Sequence, residues 1–186
     1  MRKIVLYLSL MISVTIIASC NYLGNHPKKV FNKIGLQANK IPSSFRKSFK
    51  EIRAQKNAGS LTVVTANNDV KKGVSAEEYV NYYFSSMFDK DIKEIKALKS
   101  DEESAPIITA GLALFSYADG IYKSDFPKIA KMIDENIADH EIDAAIEKLD
   151  NTKGIELDGK YNHMMELLLP YADKHGVDYE VKNFPF

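Results

Sequence analysis

The sequence has 186 residues, with 25 Lys or Arg against 25 Asp or Glu, and a single cysteine. One cysteine excludes an intrachain disulfide. The charges are unevenly placed, because residues 21–60 hold nine basic residues and one acid, whereas residues 61–186 hold 14 basic and 24 acidic residues. The acidic bulk argues against nucleic-acid binding, and the length suits one domain.

The first twenty residues have the layout of a secretory signal. Arg2 and Lys3 precede an apolar run over residues 4–17, which is too short for a comfortable membrane span but fits a signal h-region. The run ends in an Ile-Ala-Ser-Cys sequence that closes at Cys20. This stretch resembles the lipobox of bacterial lipoproteins, which reads aliphatic, small, small, cysteine. The resemblance implies lipid attachment: the Cys20 thiol receives a diacylglyceryl group and the chain is cut before Cys20.

This signal sets the expected organisation of the chain. We predict a signal peptide over residues 1–19, a short tether over 20–27 and a single helical domain over 28–186. Acyl chains (palmitate or similar) on Cys20 would anchor the domain in the membrane of the bacterial cell envelope, facing away from the cytoplasm. Asn21, rather than aspartate, follows the cysteine, and by resemblance to enterobacterial sorting this favours the outer over the inner membrane in a Gram-negative cell.

A basic segment over residues 28–56 follows the tether. Its apolar residues recur at helical spacing and predict one or two amphipathic helices, broken near Pro42: Val30, Phe31, Ile34, Ala38, Ile41, Phe45, Phe49 and Ile52. The apolar stripe favours core packing over a membrane-inserting or partner-binding face. For the basic residues three readings stay open: contact with anionic lipid, a solvated helix face, or folding back onto the acidic part of the chain.

Residues 61–65 are rich in β-branched side chains and predict a strand. Residues 177–182 alternate in a period of two, so we expect a small two-stranded β-ribbon that pairs 60–66 with 177–182. Ser75 then opens a helix through a capping box with Glu78, and an apolar stripe continues to about Lys99. Its aromatic group favours a core, with a ligand groove as the alternative: Tyr79, Tyr82, Tyr83, Phe84 and Phe88.

The second half of the chain is helical throughout. Residues 107–122 are apolar on nearly every side, which predicts the central helix, and Gly111 offers a neighbour close approach. Three shorter helices follow, with a loop over 150–159, a kink or restart at Pro170 and an end signal at Gly176. The sequence therefore predicts a mainly α fold, a helical bundle of about six helices with the small ribbon.

Signals for catalysis, cofactor or metal binding are weak. The four histidines are His26, which falls in the tether, His140, His163 and His175. His163 and Glu166 share a helix face, and the acidic group at 139–143 suits a helix start, but two ligands do not make a metal site. Residues 154–160 have phosphate-loop glycine and lysine spacing without the hydroxyl. Residues 150–161 have carboxylates as a calcium loop might, but lack its mid-loop glycine and its closing glutamate. We therefore predict no catalytic, cofactor or metal residues.

The leading functional hypothesis is a membrane-anchored, non-enzymatic domain that binds a partner, a protein, in an immunity, exclusion or assembly role. The alternative is a helical envelope enzyme that acts on peptidoglycan or lipid through acidic residues. A third reading, a carrier for an apolar ligand, requires a cavity among Tyr79, Phe84, Phe88 and Phe115. Poorly solvated carboxylates in one pocket would favour the enzyme, and an exposed apolar patch would favour the binding protein.

Overall fold

A computed structural model describes residues 26–180 of the chain. Over this range the protein is mainly helical, with one small antiparallel sheet, as the sequence predicts. The helices are α1 (residues 26–38, with a π-helical turn at Asn32–Leu36), α2 Arg46–Asn57, α3 Ala76–Phe84, α4 Asp89–Lys96, α5 Ala105–Ser124, α6 Phe126–Asp134, α7 Asp139–Leu149 and α8 Ile155–Lys174. The strands are β1 Thr62–Val64 and β2 Val70–Lys72.

Helix α5 is the centre of the bundle, in agreement with its all-round apolar sequence. It packs against α8, α4, α6 and α3, and nine of its residues are buried. Pro106 occupies its first turn, where the missing backbone N–H has no helical partner to lose. A buried helix of this kind orders the others around it, because each neighbour buries one apolar stripe against it.

Two glycines let α1 lie close to the central helices. A Cβ at Gly111 of α5 would come within 2.8 Å of the Ile34 side chain, and a Cβ at Gly35 would come within 2.6 Å of Leu168 on α8. Both separations are shorter than a carbon–carbon contact. The expected close approach at Gly111 is therefore confirmed, and its neighbour is α1.

The predicted strand at 60–66 is present, but its predicted partner is wrong. Strand β1 pairs with β2 in an antiparallel hairpin whose register sets Val64 opposite Val70. Asn68 in the turn has φ of 63°, a left-handed conformation that asparagine tolerates well. Within the described residues, 177–180 form no strand, and Tyr179 instead packs its ring 5.2 Å from that of Phe31. Residues 181 and 182 of the predicted ribbon lie outside the described range.

Three helix boundaries also differ from the sequence prediction. The helix expected from Ser75 to Lys99 is two helices, separated by a turn at 85–88. The expected loop at 150–159 is helical, since α7 continues into α8 through a π-helical turn at Asp150–Gly154. Pro170 lies inside α8 without ending it. The end signal at Gly176 is confirmed, with φ of 63° one residue after His175 caps the helix.

His26 and Pro27, assigned above to the tether, are the first described residues and are helical. The His26 ring lies 3.3 Å from the Ser104 hydroxyl at the start of α5. Between residues 26 and 180, no helix has the length and apolar character that crossing a bilayer requires.

Candidate functional site

The one site residue predicted from the sequence, Cys20, lies outside the described residues, as does the whole signal stretch. Lipid attachment at Cys20 therefore stays a prediction. The candidate surfaces that follow are built from the folded part of the chain.

The histidines and the acidic group at 139–143 do not come together in one site. His163 and Glu166 are both exposed on α8, and His140 is exposed on α7. Arg53 of α2 binds the acidic start of α7, through Asp139 at 3.3 Å and Asp143 at 2.5 Å. Among the residues that the structure describes, no group of three or more His, Cys, Asp or Glu side chains could hold a metal ion.

The phosphate-loop and calcium-loop resemblances at 154–160 have no structural counterpart. Those residues form the last residue of the π-helical turn and the first turns of α8. A phosphate or calcium loop needs an irregular backbone that points several N–H or C=O groups at one ion, whereas a helix satisfies them internally. Glu156 accepts a hydrogen bond at 2.7 Å from the Tyr117 hydroxyl instead, which links α8 to α5.

Much of the basic segment folds back onto the acidic part of the chain. Four of its cations form ion pairs with acids of α4, α6 and α7: Lys33 with Glu94 at 2.7 Å, Lys40 with Asp91 at 2.9 Å, Arg53 with Asp139 and Asp143, and Lys56 with Asp134 at 2.8 Å. Asp91 is 2% exposed, so its carboxylate needs this partner. For these four positions the folding-back reading is the one that the structure supports.

The aromatic group that begins in α3 divides between core and surface. Phe88 is fully buried with its ring 5.8 Å from that of Phe115, and Phe84 stacks on Tyr122 at 5.5 Å. Tyr122 closes the group 4.2 Å from the ring of Phe126, and burial raises the pKa of its hydroxyl. These rings fill the space that an apolar-ligand carrier would have to keep open.

The tyrosines of α3 remain outside. Tyr82 and Tyr83 are 45% and 41% exposed, and the ring of Tyr83 lies 4.7 Å from those of Tyr79 and Tyr82. Partial burial, then the neighbouring Tyr83 and Glu51 of α2, raise the pKa of Tyr79. Tyr79 therefore stays neutral at ordinary pH, and Tyr82 and Tyr83 expose amphipathic rings to solvent.

A β-hairpin lies beside α3. Register places Val63 and Lys71 on the inner face, where Val63 is buried and Lys71 binds Glu78 of α3 at 2.7 Å. The outer face carries the Val64 and Val70 pair, which is 38% and 59% exposed and points away from α3. We call the three tyrosines of α3, Tyr79, Tyr82 and Tyr83, the tyrosine surface.

Helix α3 is held in place at its start by two side chains. Ser75 accepts a hydrogen bond from the backbone N–H of Glu78 at 2.9 Å, which confirms the serine half of the predicted capping box. The Glu78 carboxylate binds Lys71 instead of reaching back to Ser75. Asp134, at the end of α6, accepts from the N–H groups of Ala76 at 2.8 Å and Glu77 at 2.9 Å. The tyrosines therefore stand on a helix whose first turn is fixed to the core.

A second candidate is an open cleft of about 530 Å³ between α4 and α5, lined by Asp89, Ile92, Lys93, Lys96, Ser116 and Asp119. Lys123 bridges its two carboxylates, at 2.7 Å from Asp89 and 2.9 Å from Asp119. Hydrogen bonds to Asp119 and Asp89 raise the pKa of the Lys123 ammonium, so it stays charged. The Oδ1 atom of Asp119 is buried with no hydrogen-bond partner in the described part of the chain. The cleft therefore holds two carboxylates that share one lysine cation.

Sequence reasoning missed both the hairpin and the exposure of the tyrosines. The second strand, Val-Lys-Lys, has no alternation of apolar and polar residues that would predict a strand. It is recognised only by its pairing with β1. For the tyrosines a signal was present, since Tyr82 lies on the helix face that carries the polar Glu78, one turn earlier.

Comparison of the chain with protein-family models, with curated proteins and with solved structures gave no match.

Proposed function

We propose that the protein is a bacterial envelope lipoprotein, anchored by acyl chains on Cys20, whose helical domain binds another protein and performs no catalysis. The anchor is supported by the Ile-Ala-Ser-Cys sequence that ends at Cys20. The binding role is carried by one observation, the exposure of the adjoining rings of Tyr82 and Tyr83 on α3. Tyrosine supplies a large, rigid contact area at low entropic cost, and it is enriched among the residues that dominate interface energies.

The mechanism is localisation. A domain held at a membrane surface meets its partner at an effective concentration set by the tether rather than by dilution in the compartment. Immunity, exclusion and assembly roles at the envelope, with the outer membrane favoured in a Gram-negative cell, all use this design.

Anchoring is tested by growing cells with labelled palmitate and comparing the wild-type protein with Cys20→Ser. We expect the label and membrane association in the wild type and neither in the variant. An unlabelled, freely released wild-type protein would refute the anchor.

Binding is tested by affinity capture from envelope extracts with the full-length processed protein. The double variant Tyr82→Ser/Tyr83→Ser should lose a stoichiometric protein partner. The matched control is Leu36→Ser/Ile155→Ser. Those side chains are also exposed, by 49% and 65%, but they lie on α1 and α8 and not on the helix of the tyrosine surface. Equal recovery with both double variants would contradict the proposal.

The enzymatic alternative would place its chemistry in the cleft between α4 and α5, where Asp89 and Asp119 share the Lys123 ammonium and one Asp119 oxygen is buried without a partner in the described part of the chain. Hydrolysis of peptidoglycan or lipid that is lost on Asp119→Asn, together with failure to capture a partner, would replace the binding proposal with that alternative.

A further inference from the structure

The first turn of helix α2 carries positive charge, which the helix dipole disfavours. Arg46 and Lys47 stand in its first turn, which contains no acidic residue. The N-terminus of a helix carries partial positive charge, so cations there are destabilising. Lys50 follows one turn later, close enough to repel both. Asp150 offsets part of this cost, because its carboxylate accepts from the backbone N–H of Phe45 at 2.8 Å.

These three cations have no ion pair within residues 26–180, and all three are exposed. The rest of α2 is different, since Arg53 and Lys56 are both paired with acids of α7 and α6. Helix α4 provides the contrast: its exposed Lys93 and Lys96 lie in the last turn, where the dipole favours them. The ion pairs of α2 therefore use Arg53 and Lys56 but none of these three cations, and the dipole disfavours the two in the first turn. A local rule broken at the surface is typical of a functional position.

The fold places this basic face far from the lipid anchor. Phe45 packs its ring 6.0 Å from that of Tyr122, in the last turn of α5, whereas His26 lies beside Ser104, at the first turn of α5. Helix α5 has 20 residues and is therefore about 30 Å long. From Cys20, the chain can reach residue 26 over about 20 Å at most.

The end of the bundle nearer the anchor carries charges of both signs. The three acids at 101–103 are exposed in the turn before α5, next to His26, and Lys28 and Lys29 are exposed on α1. The basic face of α2 lies at the other end of α5, and charges one length of α5 apart are separated by several Debye lengths of about 8 Å. An anchor at Cys20 therefore leaves the basic face on the end of the bundle opposite to residue 26.

We propose that Arg46, Lys47 and Lys50 form a docking site for an acidic segment of the protein partner. This inference rests on the proposed function and specifies the partner's chemistry. Helix α2 packs against α3, so the basic face lies on a neighbour of the helix that carries the tyrosine surface. Aromatic side chains at the centre and charges at the rim are the usual anatomy of a protein interface.

The test uses the full-length processed protein in vesicles of phosphatidylcholine, with or without phosphatidylglycerol, and a labelled polyglutamate peptide as the acidic probe. Acetylation by an amine reagent reports which lysines are covered. We expect the peptide to protect Lys47 and Lys50 but not Lys93 and Lys96. Protection of Lys47 and Lys50 by phosphatidylglycerol without the peptide would assign the face to lipid and overturn the proposal.

Two triple variants separate this face from general basicity. Replacing Arg46, Lys47 and Lys50 by Gln should weaken polyglutamate binding about tenfold, as three exposed ion pairs allow. The matched control replaces Lys90, Lys93 and Lys96 of α4 by Gln and should leave binding unchanged. Equal losses in both triple variants would refute a specific site.

The partner itself is tested with a photo-crosslinking residue at Ala54, which is exposed on α2 and leaves the three cations in place. We expect an adduct in cells whose cross-linked peptide is rich in Asp and Glu. An adduct with a neutral or basic peptide overturns this inference but leaves the proposed function standing. Absence of any adduct, together with failed capture by the wild-type protein, overturns both.

Discussion

Asp134 holds the start of α3, so its removal should loosen the helix that presents the tyrosines. Its Oδ1 and Oδ2 atoms accept from two backbone N–H groups, of Ala76 and Glu77, at 2.8 and 2.9 Å. The same carboxylate lies 2.8 Å from the Lys56 ammonium, and its side chain is 18% exposed. The perturbation is Asp134→Ala, which leaves these donors without a partner.

The expected cost comes from these three interactions. Loss of a helix cap costs about 1 kcal/mol, and hydrogen bonds to a charged group about 1.5–3 kcal/mol. Part of this is recovered, because water reaches the freed groups at a partly exposed site. We therefore expect Asp134→Ala to lower the free energy of unfolding by about 2–3 kcal/mol, which is a fall of about 4–12 °C in Tm for a domain of this size.

The pH dependence of unfolding tests whether the ionised carboxylate of Asp134 stabilises the start of α3. Burial raises the pKa of Asp134, but the hydrogen bonds from Lys56 and from the two backbone N–H groups outweigh burial, so the folded-state pKa lies below the ordinary value of 3.8. A group with a lowered folded-state pKa contributes its stability above the unfolded value and loses it as pH falls through the folded value. The wild-type advantage should therefore be complete at neutral pH and shrink below about pH 4.

The assay is urea unfolding, followed by circular dichroism at neutral and acid pH. The matched control is Glu135→Ala, the next residue along the chain. Its carboxylate is 53% exposed, and its ion pair with Lys131 is long at 3.7 Å. It should cost less than about 0.5 kcal/mol. If Asp134→Ala were no worse than this control, or if its deficit persisted unchanged in acid, the capping argument would be refuted.

Three further predictions concern the packing of the bundle and use the same unfolding assay. Asp150→Ala should cost about 1–2 kcal/mol, because the backbone N–H of Phe45 loses its acceptor; an unchanged midpoint would argue against this cap. Gly111→Val should cost at least about 1–3 kcal/mol, because even its Cβ would lie 2.8 Å from the buried Ile34, and a stabilised variant would disprove the close approach. Phe126→Ala should cost about 3–5 kcal/mol, since the side chain is fully buried, and a loss below 1 kcal/mol would show that the site collapses without a cavity.

Signals confined to one helical turn were read correctly from the sequence. Ser75 caps α3, Pro106 opens α5 and Gly176 ends α8, because each effect depends on the residue's own backbone or on a partner three to five positions away. The apolar stripes of the basic segment also lie where the periodicity puts them, with Phe45 and Phe49 buried. Such signals predicted the fold class.

Breaks and pairings were predicted less well. Residues 150–159 contain two glycines and several polar residues, which indicate a loop, yet α7 and α8 are continuous because packing against α5 outweighs weak propensity. Pro170 is accommodated inside α8 for the same reason, since the residues around it are buried. The turn at Asn68 brings β2 back beside β1. The apolar content of Val-Lys-Lys is too low to predict this strand.

By itself, the sequence determined the mainly helical fold, the central helix, and the lipobox on which the prediction of an anchor at Cys20 depends. Only the tertiary structure decided which charges neutralise one another and which aromatic rings stay outside, so that Tyr82 and Tyr83 remain exposed while Phe84 and Phe88 turn inward. The physical reason is the separation along the chain over which each interaction acts. Capping and periodicity act within a few residues of chain, whereas ion pairing and burial depend on distances between segments that only the packed bundle brings together.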